Sequence, residues 1–138
     1  MNVLLLSAVV AVVLTSAASA QSSITSVPQT DYLIDDYVAF IGKRDLYNPT
    51  GKRLTMPWAI IRQDRVNFHR YGLRDGRFDQ DDSFFASQIN RQAMEHMVNT
   101  GFMAWNAAQG IVKGDILIRV QVYGQGSVGH SVRVDLAH

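Results

Sequence analysis

The chain contains no cysteine, only three prolines, and a single glutamate, Glu95, among its twelve acidic residues. Without cysteine there is no disulfide, no lipid carried on a thiol and no thiol nucleophile, so the fold must hold by packing alone. No G-x-S-x-G elbow surrounds any serine, and no catalytic triad is expected. The four histidines, His69, His96, His130 and His138, form no i, i+4 pair and no H-E-x-x-H, so no metal is expected. Charge of one sign is also missing, because thirteen Lys and Arg oppose twelve Asp and Glu. A nucleic-acid binder is more basic than this, and no nucleic-acid partner is predicted.

Long apolar runs are absent beyond the first residues. Val3 to Leu14 is almost unbroken, but its roughly twelve residues fall short of the about twenty that cross a bilayer as a helix. It leads into Thr15-Ser16-Ala17-Ala18-Ser19-Ala20, whose Ala18-x-Ala20 ending suits a signal peptidase. The expectation is a cleaved signal peptide over residues 1–20, no membrane span after cleavage, and a periplasmic or secreted protein beginning near Gln21. The stretch before the apolar run is only Met1-Asn2, which is atypical in carrying no Lys or Arg. Asn48-Pro49-Thr50 is blocked for glycosylation by its proline, which with the missing disulfides leans towards a bacterial envelope.

Residues 21–31, rich in Ser and Thr, read as a flexible leader, and residues 32–138 as a single α+β domain. Tyr37 to Ile41 is short, β-prone and stopped by Gly42, which predicts a strand buried on both faces. Asn48-Pro49-Thr50-Gly51 signals a turn between Asp45-Leu46-Tyr47 and Arg53-Leu54-Thr55, hence a small hairpin. Pro57 at the start and Gly72 at the end frame a first helix, with Ile60, Ile61, Phe68 and Tyr71 gathered on its core side. A second helix is predicted from the Asp82-Ser83 cap to about Asn99, stacking Phe85, Ile89, Ala93 and Met97 with His96 at the edge of that side, and a third from Ala104 to Val112. The period then changes to two. Ile116, Ile118, Val120 and Val122, then Val132, Val134 and Leu136, alternate with polar residues as two strands of a hairpin, and one allowed register sets Arg119 opposite Asp135. The predicted fold is an antiparallel sheet, made of N-terminal strands plus the C-terminal hairpin, covered by about three helices.

Gly124-Gln125-Gly126-Ser127-Val128-Gly129 spells G-x-G-x-x-G, yet a strand follows it where a dinucleotide loop needs a helix N-terminus. It reads as a glycine-rich hairpin loop, and no cofactor is expected. Asp79 to Ser83 begins like a calcium loop, but Phe84 stands where Gly is needed and Asn90 where Glu is needed, so helix capping is expected there.

Two features point to a site. Asp64 falls among Ile60, Ile61, Phe68 and Tyr71, where a carboxylate must be paired, so a structural ion pair is expected with an arginine from elsewhere, Arg91 or Arg74. Arg62, Arg65 and His69 form a stripe beside Trp58, since offsets of three and four share a helix face. Three cationic groups and an indole suit an anionic ligand, while docking on Asp75, Asp79, Asp81 or Asp82 would be the structural use of the same stripe. Ten of the thirteen cations are Arg and eleven of the twelve anions are Asp. Such a bias favours two-point ion pairs, although Arg-rich codon usage yields it too. The reading that follows is a non-enzymatic exported domain that binds a protein or anionic ligand in the cell envelope. The alternatives are a small cell-wall or polysaccharide hydrolase using Asp64, and an envelope-assembly protein that pairs through the C-terminal hairpin.

Overall fold

The computed structural model describes residues 30–76 and 78–138. The predicted signal peptide, and the leader up to residue 29, lie outside the described residues. Eight elements follow in the order β1 (Tyr32–Ile41), α1 (Pro57–Tyr71), α2 (Gln88–Gln92), α3 (Met94–Thr100), β2 (Phe102–Met103), α4 (Trp105–Lys113), β3 (Ile116–Gln125) and β4 (Val128–Leu136), with single 3-10 turns at Lys43–Leu46 and Phe84–Ala86. The architecture is α+β. The sheet runs β1-β3-β4-β2, antiparallel except that β2 pairs parallel to β4, so it is mixed rather than wholly antiparallel.

The alternation read in the C-terminal strands places Ile118, Val120, Val122, Val132 and Val134 on the helix-covered face, all buried. Tyr37, Ala39 and Ile41 of β1 join them. Arg119 does stand opposite Asp135, and the glycine-rich segment is the β3–β4 turn, with Gly126 at φ 60°. β1 is longer than predicted and packs fully on one face only, because Val38 and Phe40 are only half-buried on the other. Its early residues Asp35 and Asp36 are tolerated in a strand because each has a partner. Asp35 Oδ2 accepts from the backbone N–H groups of Ser83 and Phe84 at 2.9 Å, and Asp36 Oδ1 accepts from Arg119 Nε at 2.8 Å.

α1 has the predicted limits, with Pro57 in its first turn and Gly72 in the left-handed region at φ 65°. Other predictions are corrected. The 48–51 turn forms, but its arms meet at one bridge, Tyr47 to Arg53, because Lys43–Leu46 winds into a 3-10 turn instead of extending. The expected second helix is broken in two places. Ser87 is extended (ψ 128°), and Ala93 interrupts the run again between α2 and α3. Arg91 Nη1 holds the carbonyls of Phe85 and Ala86 at 2.6 and 2.9 Å, and Asn90 Nδ2 holds that of Phe84 at 2.8 Å, so side chains take over acceptors that a continuous helix would have satisfied. The stacking of Phe85, Ile89, Ala93 and Met97 is therefore lost. Met94 and Met97 are fully buried while Ile89 is 76% exposed, and His96 is exposed rather than packed.

Both sheet edges are restricted. Gln80 covers β1, its N–H donating to Val38 O at 2.8 Å and its Oε1 accepting from Val38 N–H at 2.9 Å. β2 covers β4 at Arg133 and Val134, and Thr100 Oγ1 donates to His130 O at 2.7 Å, which leaves the hairpin little free edge. α3 crosses β4 closely at Gly101, where an added Cβ would sit 1.9 Å from the Val132 carbonyl oxygen. Gly101→Ala is thus expected to cost about 2 kcal/mol, as overpacking against rigid backbone does. Urea denaturation checks this, and a midpoint equal to wild type would refute the close crossing.

Candidate functional site

α1 is buried around more of its circumference than one amphipathic stripe. The 3-10 turn at Lys43–Leu46 packs on one flank, while the segment 79–85 packs on the other and turns Arg65 inward. Arg65 is 0% exposed. Its Nε donates to Asp64 Oδ2 at 2.7 Å, Nη1 to Asp82 Oδ1 at 2.9 Å and to Gln80 O at 3.0 Å, and Nη2 to Asp79 Oδ1 at 2.9 Å. The guanidinium lies between two rings, 4.6 Å from the Tyr37 centroid and 4.5 Å from that of Phe68.

Asp64 accordingly takes its neighbour in sequence as partner, not Arg91 or Arg74. Arg91 is bound to carbonyls, and Arg74 stacks on Phe68 at 4.4 Å. His69 also turns to the acidic segment, with Nε2 2.8 Å from Asp82 Oδ1. The predicted stripe is therefore divided. Arg65 and His69 dock on Asp79 and Asp82, and Arg62 alone stays at the surface with Trp58, its guanidinium 4.9 Å from the indole centroid. The helical spacing was read correctly, but spacing cannot show which flank a loop fifteen residues later will cover.

One guanidinium cannot neutralise three carboxylates. Burial pushes Asp64 well up, opposed by Arg65 and aided by Asp45, and burial also pushes Asp79 up, so protons relieve the excess negative charge. Asp64 is enclosed in this cluster, 2% exposed, and lines neither of the two clefts described below. The Tyr37 hydroxyl is buried against the same cluster and has no hydrogen-bond partner among the described residues.

Two clefts flank the outer ridge of α1. The smaller, about 190 Å³, is lined by Arg62, Val66 and Arg70 of α1 and by Gln88, Arg91 and Gln92 of α2. The larger, about 410 Å³, lies between α1 and the 47–49 segment, with Tyr47, Pro49, Gln63, Asn67 and Tyr71 in its walls. Asp45 lies buried beside the larger cleft, accepting from Asn67 Nδ2 at 2.8 Å and from the Gly42 N–H at 2.9 Å. Burial, with the neighbouring Asp75 carboxyl, pushes Asp45 up to about 7 despite those bonds.

Gln63, Asn67 and Asp45 are not singled out as site residues by the sequence. Tyr71 had been placed in the core and is instead half-exposed on the cleft wall. The i, i+4 series 63, 67 and 71, polar and aromatic beside the core stripe, was the signal available. Among the described residues no group of three or more His, Asp or Glu is placed to hold a metal, and no helix is long and apolar enough to cross a membrane. Comparison with protein-family models, curated proteins and solved structures finds no match for the chain.

Replacing Arg65 with Leu leaves Asp64, Asp79 and Asp82 buried without their cation. The expected loss at pH 7 is about 3–5 kcal/mol. It should shrink near pH 4, where the carboxyls accept protons, and chemical denaturation at both pH values checks this. A loss of the same size at both would show that packing rather than charge is what Arg65 supplies. For the wild type, Asp45, Asp64 and Asp79 all bind protons more tightly folded than unfolded, so the native state holds more protons above the ordinary carboxylate range. Stability is expected to fall as pH rises from about 4 to about 7, less steeply in Asp45→Asn. Melting temperatures across that range test it, and a rising curve would contradict the shifts.

Proposed function

We propose that this chain is an exported, non-enzymatic binding domain for an anionic ligand, and that the ligand sits in the cleft between α1 and α2. The observation that carries the reading is the arginine partnership. Arg44, Arg65, Arg119 and Arg133 each face an aspartate, whereas Arg62, Arg70 and Arg91 line one cleft and, among the described residues, none of them is in an ion pair. Arg62 and Arg70 use only their flat faces, over Trp58 at 4.9 Å and Tyr71 at 5.4 Å. Stacking leaves the in-plane N–H groups available, and these are the donors that pair two at a time with a carboxylate or phosphate. Gln88 and Gln92 add amides to the same lining, and no carboxylate is part of it.

The export half of the reading rests on the Ala18-x-Ala20 pattern after the apolar run. Both halves are testable on the protein expressed from its full-length gene. Mass analysis of the extracytoplasmic fraction is expected to find a chain starting at Gln21, and retention of Met1 in the cytoplasm would end that part. Calorimetric titration with inorganic phosphate and with citrate is expected to show saturable binding that the double change Arg62→Gln and Arg70→Gln reduces at least about tenfold, with an unchanged melting temperature. Binding of neither anion, or equal binding by the double variant, would dismiss the anion site.

A further inference from the structure

The larger cleft has a different chemistry from the arginine cleft. Two tyrosines, Tyr47 and Tyr71, are both substantially exposed, and with Pro49 and Leu73 they give it apolar walls. Its floor is polar and organised by a directed chain of hydrogen bonds. Gln63 Nε2 donates to Asn67 Oδ1 at 2.9 Å, Asn67 Nδ2 donates to Asp45 Oδ1, and the Gly42 N–H holds the other oxygen of Asp45. Both amides are nearly buried, Gln63 at 9% and Asn67 at 5% exposure, so their orientation is set by partners rather than by solvent.

Gln63 ends that chain with capacity to spare. An amide has two N–H donors and an acceptor oxygen; one donor is used on Asn67, and no bond to Oε1 is seen among the described residues. The lip is equally fixed. Asn48 Oδ1 accepts from Thr50 Oγ1 and from the N–H groups of Thr50 and Lys52 at 2.8–3.1 Å, while Gly51 turns at φ 81°. Arg44 is the one cation of the lining and faces Asp75 at 3.8 Å, while Arg53 and Arg70 use their flat faces on Tyr47 and Tyr71 at 5.7 and 5.4 Å.

We infer that this cleft is a second binding site, for a neutral sugar ring. An amide presenting a donor and an acceptor side by side matches two adjacent hydroxyls, and tyrosine rings suit the C–H face of a pyranose while their hydroxyls stay wet. The cleft's volume lies within the range of ligand pockets, and a rigid lip and floor keep the ordering cost of binding low. The site shares no lining residue with the arginine cleft, and the two meet where Arg70 stacks on Tyr71 at 5.4 Å.

The test is NMR titration of the purified protein with glucose, galactose, N-acetylglucosamine and their trisaccharides, following the side-chain amide signals of Gln63 and Asn67. At least one saccharide is expected to move both signals saturably at concentrations up to about 10 mM, the range of weak single-ring binding. Tyr71→Ala should weaken that saccharide about tenfold and Tyr71→Phe should not, with both variants melting as wild type does because Tyr71 is exposed. Inorganic phosphate should leave the two amides unmoved. No shift with any saccharide, undiminished binding by Tyr71→Ala, or displacement of the sugar by phosphate would each overturn the inference.

Discussion

The Arg65 guanidinium, bonded in its plane to Asp64, Asp79, Asp82 and the Gln80 carbonyl and stacked between Tyr37 and Phe68, is the contact on which the rest of the structure is arranged. It joins the middle of α1 to a segment that has no regular structure of its own. That segment, once held, places Gln80 against the β1 edge at Val38 and brings the Ser83 and Phe84 N–H groups to the Asp35 carboxylate. Lysine could not replace it, because a point charge with no flat face can neither fork to several carboxylates in one plane nor stack between rings. Without cysteine available to staple the long 73–87 connection, an ionic anchor does that work.

The same logic explains the unusual charge composition. Among the described residues, the aspartates that meet arginine sit on strands, on α1 or in the connection that follows it, where a short side chain keeps the carboxylate close to its backbone and limits the rotamer entropy lost on pairing. Asp36 with Arg119 and Asp135 with Arg133 repeat the arrangement on the open face of the sheet, where such pairs add little stability but discourage edge and face association.

α1 is the organising element of the surface as well as of the interior. Residues 60, 61, 64, 65 and 68 are in the core, while 62, 66 and 70 open towards α2 and 63, 67 and 71 towards the 47–49 lip. A single helix thus separates a cationic cleft from an amide-and-tyrosine cleft. The break after Phe84–Ala86 is what creates the first of these, because it lets α2 stand away from α1 with Gln88 and Gln92 facing the gap.

Local chemistry was legible in the sequence where neighbours in the chain decide the outcome. Pro57 and Gly72 bound α1, the period-two alternation gave β3 and β4 with Arg119 across from Asp135, and the glycines made the turn between them. The need for Asp64 to be paired was equally plain from its place on the helix. Its partner was not, since Arg65 was assigned to an outward stripe on the assumption that only one face of α1 packs. The second helix differs for a related reason: the four-residue spacing from Phe85 to Met97 is compatible with one helix, but the chain is extended at Ser87, where Arg91 and Asn90 hold the carbonyls of residues 84–86, and is interrupted again at Ala93. Sequence by itself therefore determined the limits of α1, the two C-terminal strands and the parity of their register, which depend on periodicity and turn geometry. Tertiary structure alone decided which charged side chains turn inward and which line a cleft, because that depends on where a distant, irregular segment comes to rest against the helix.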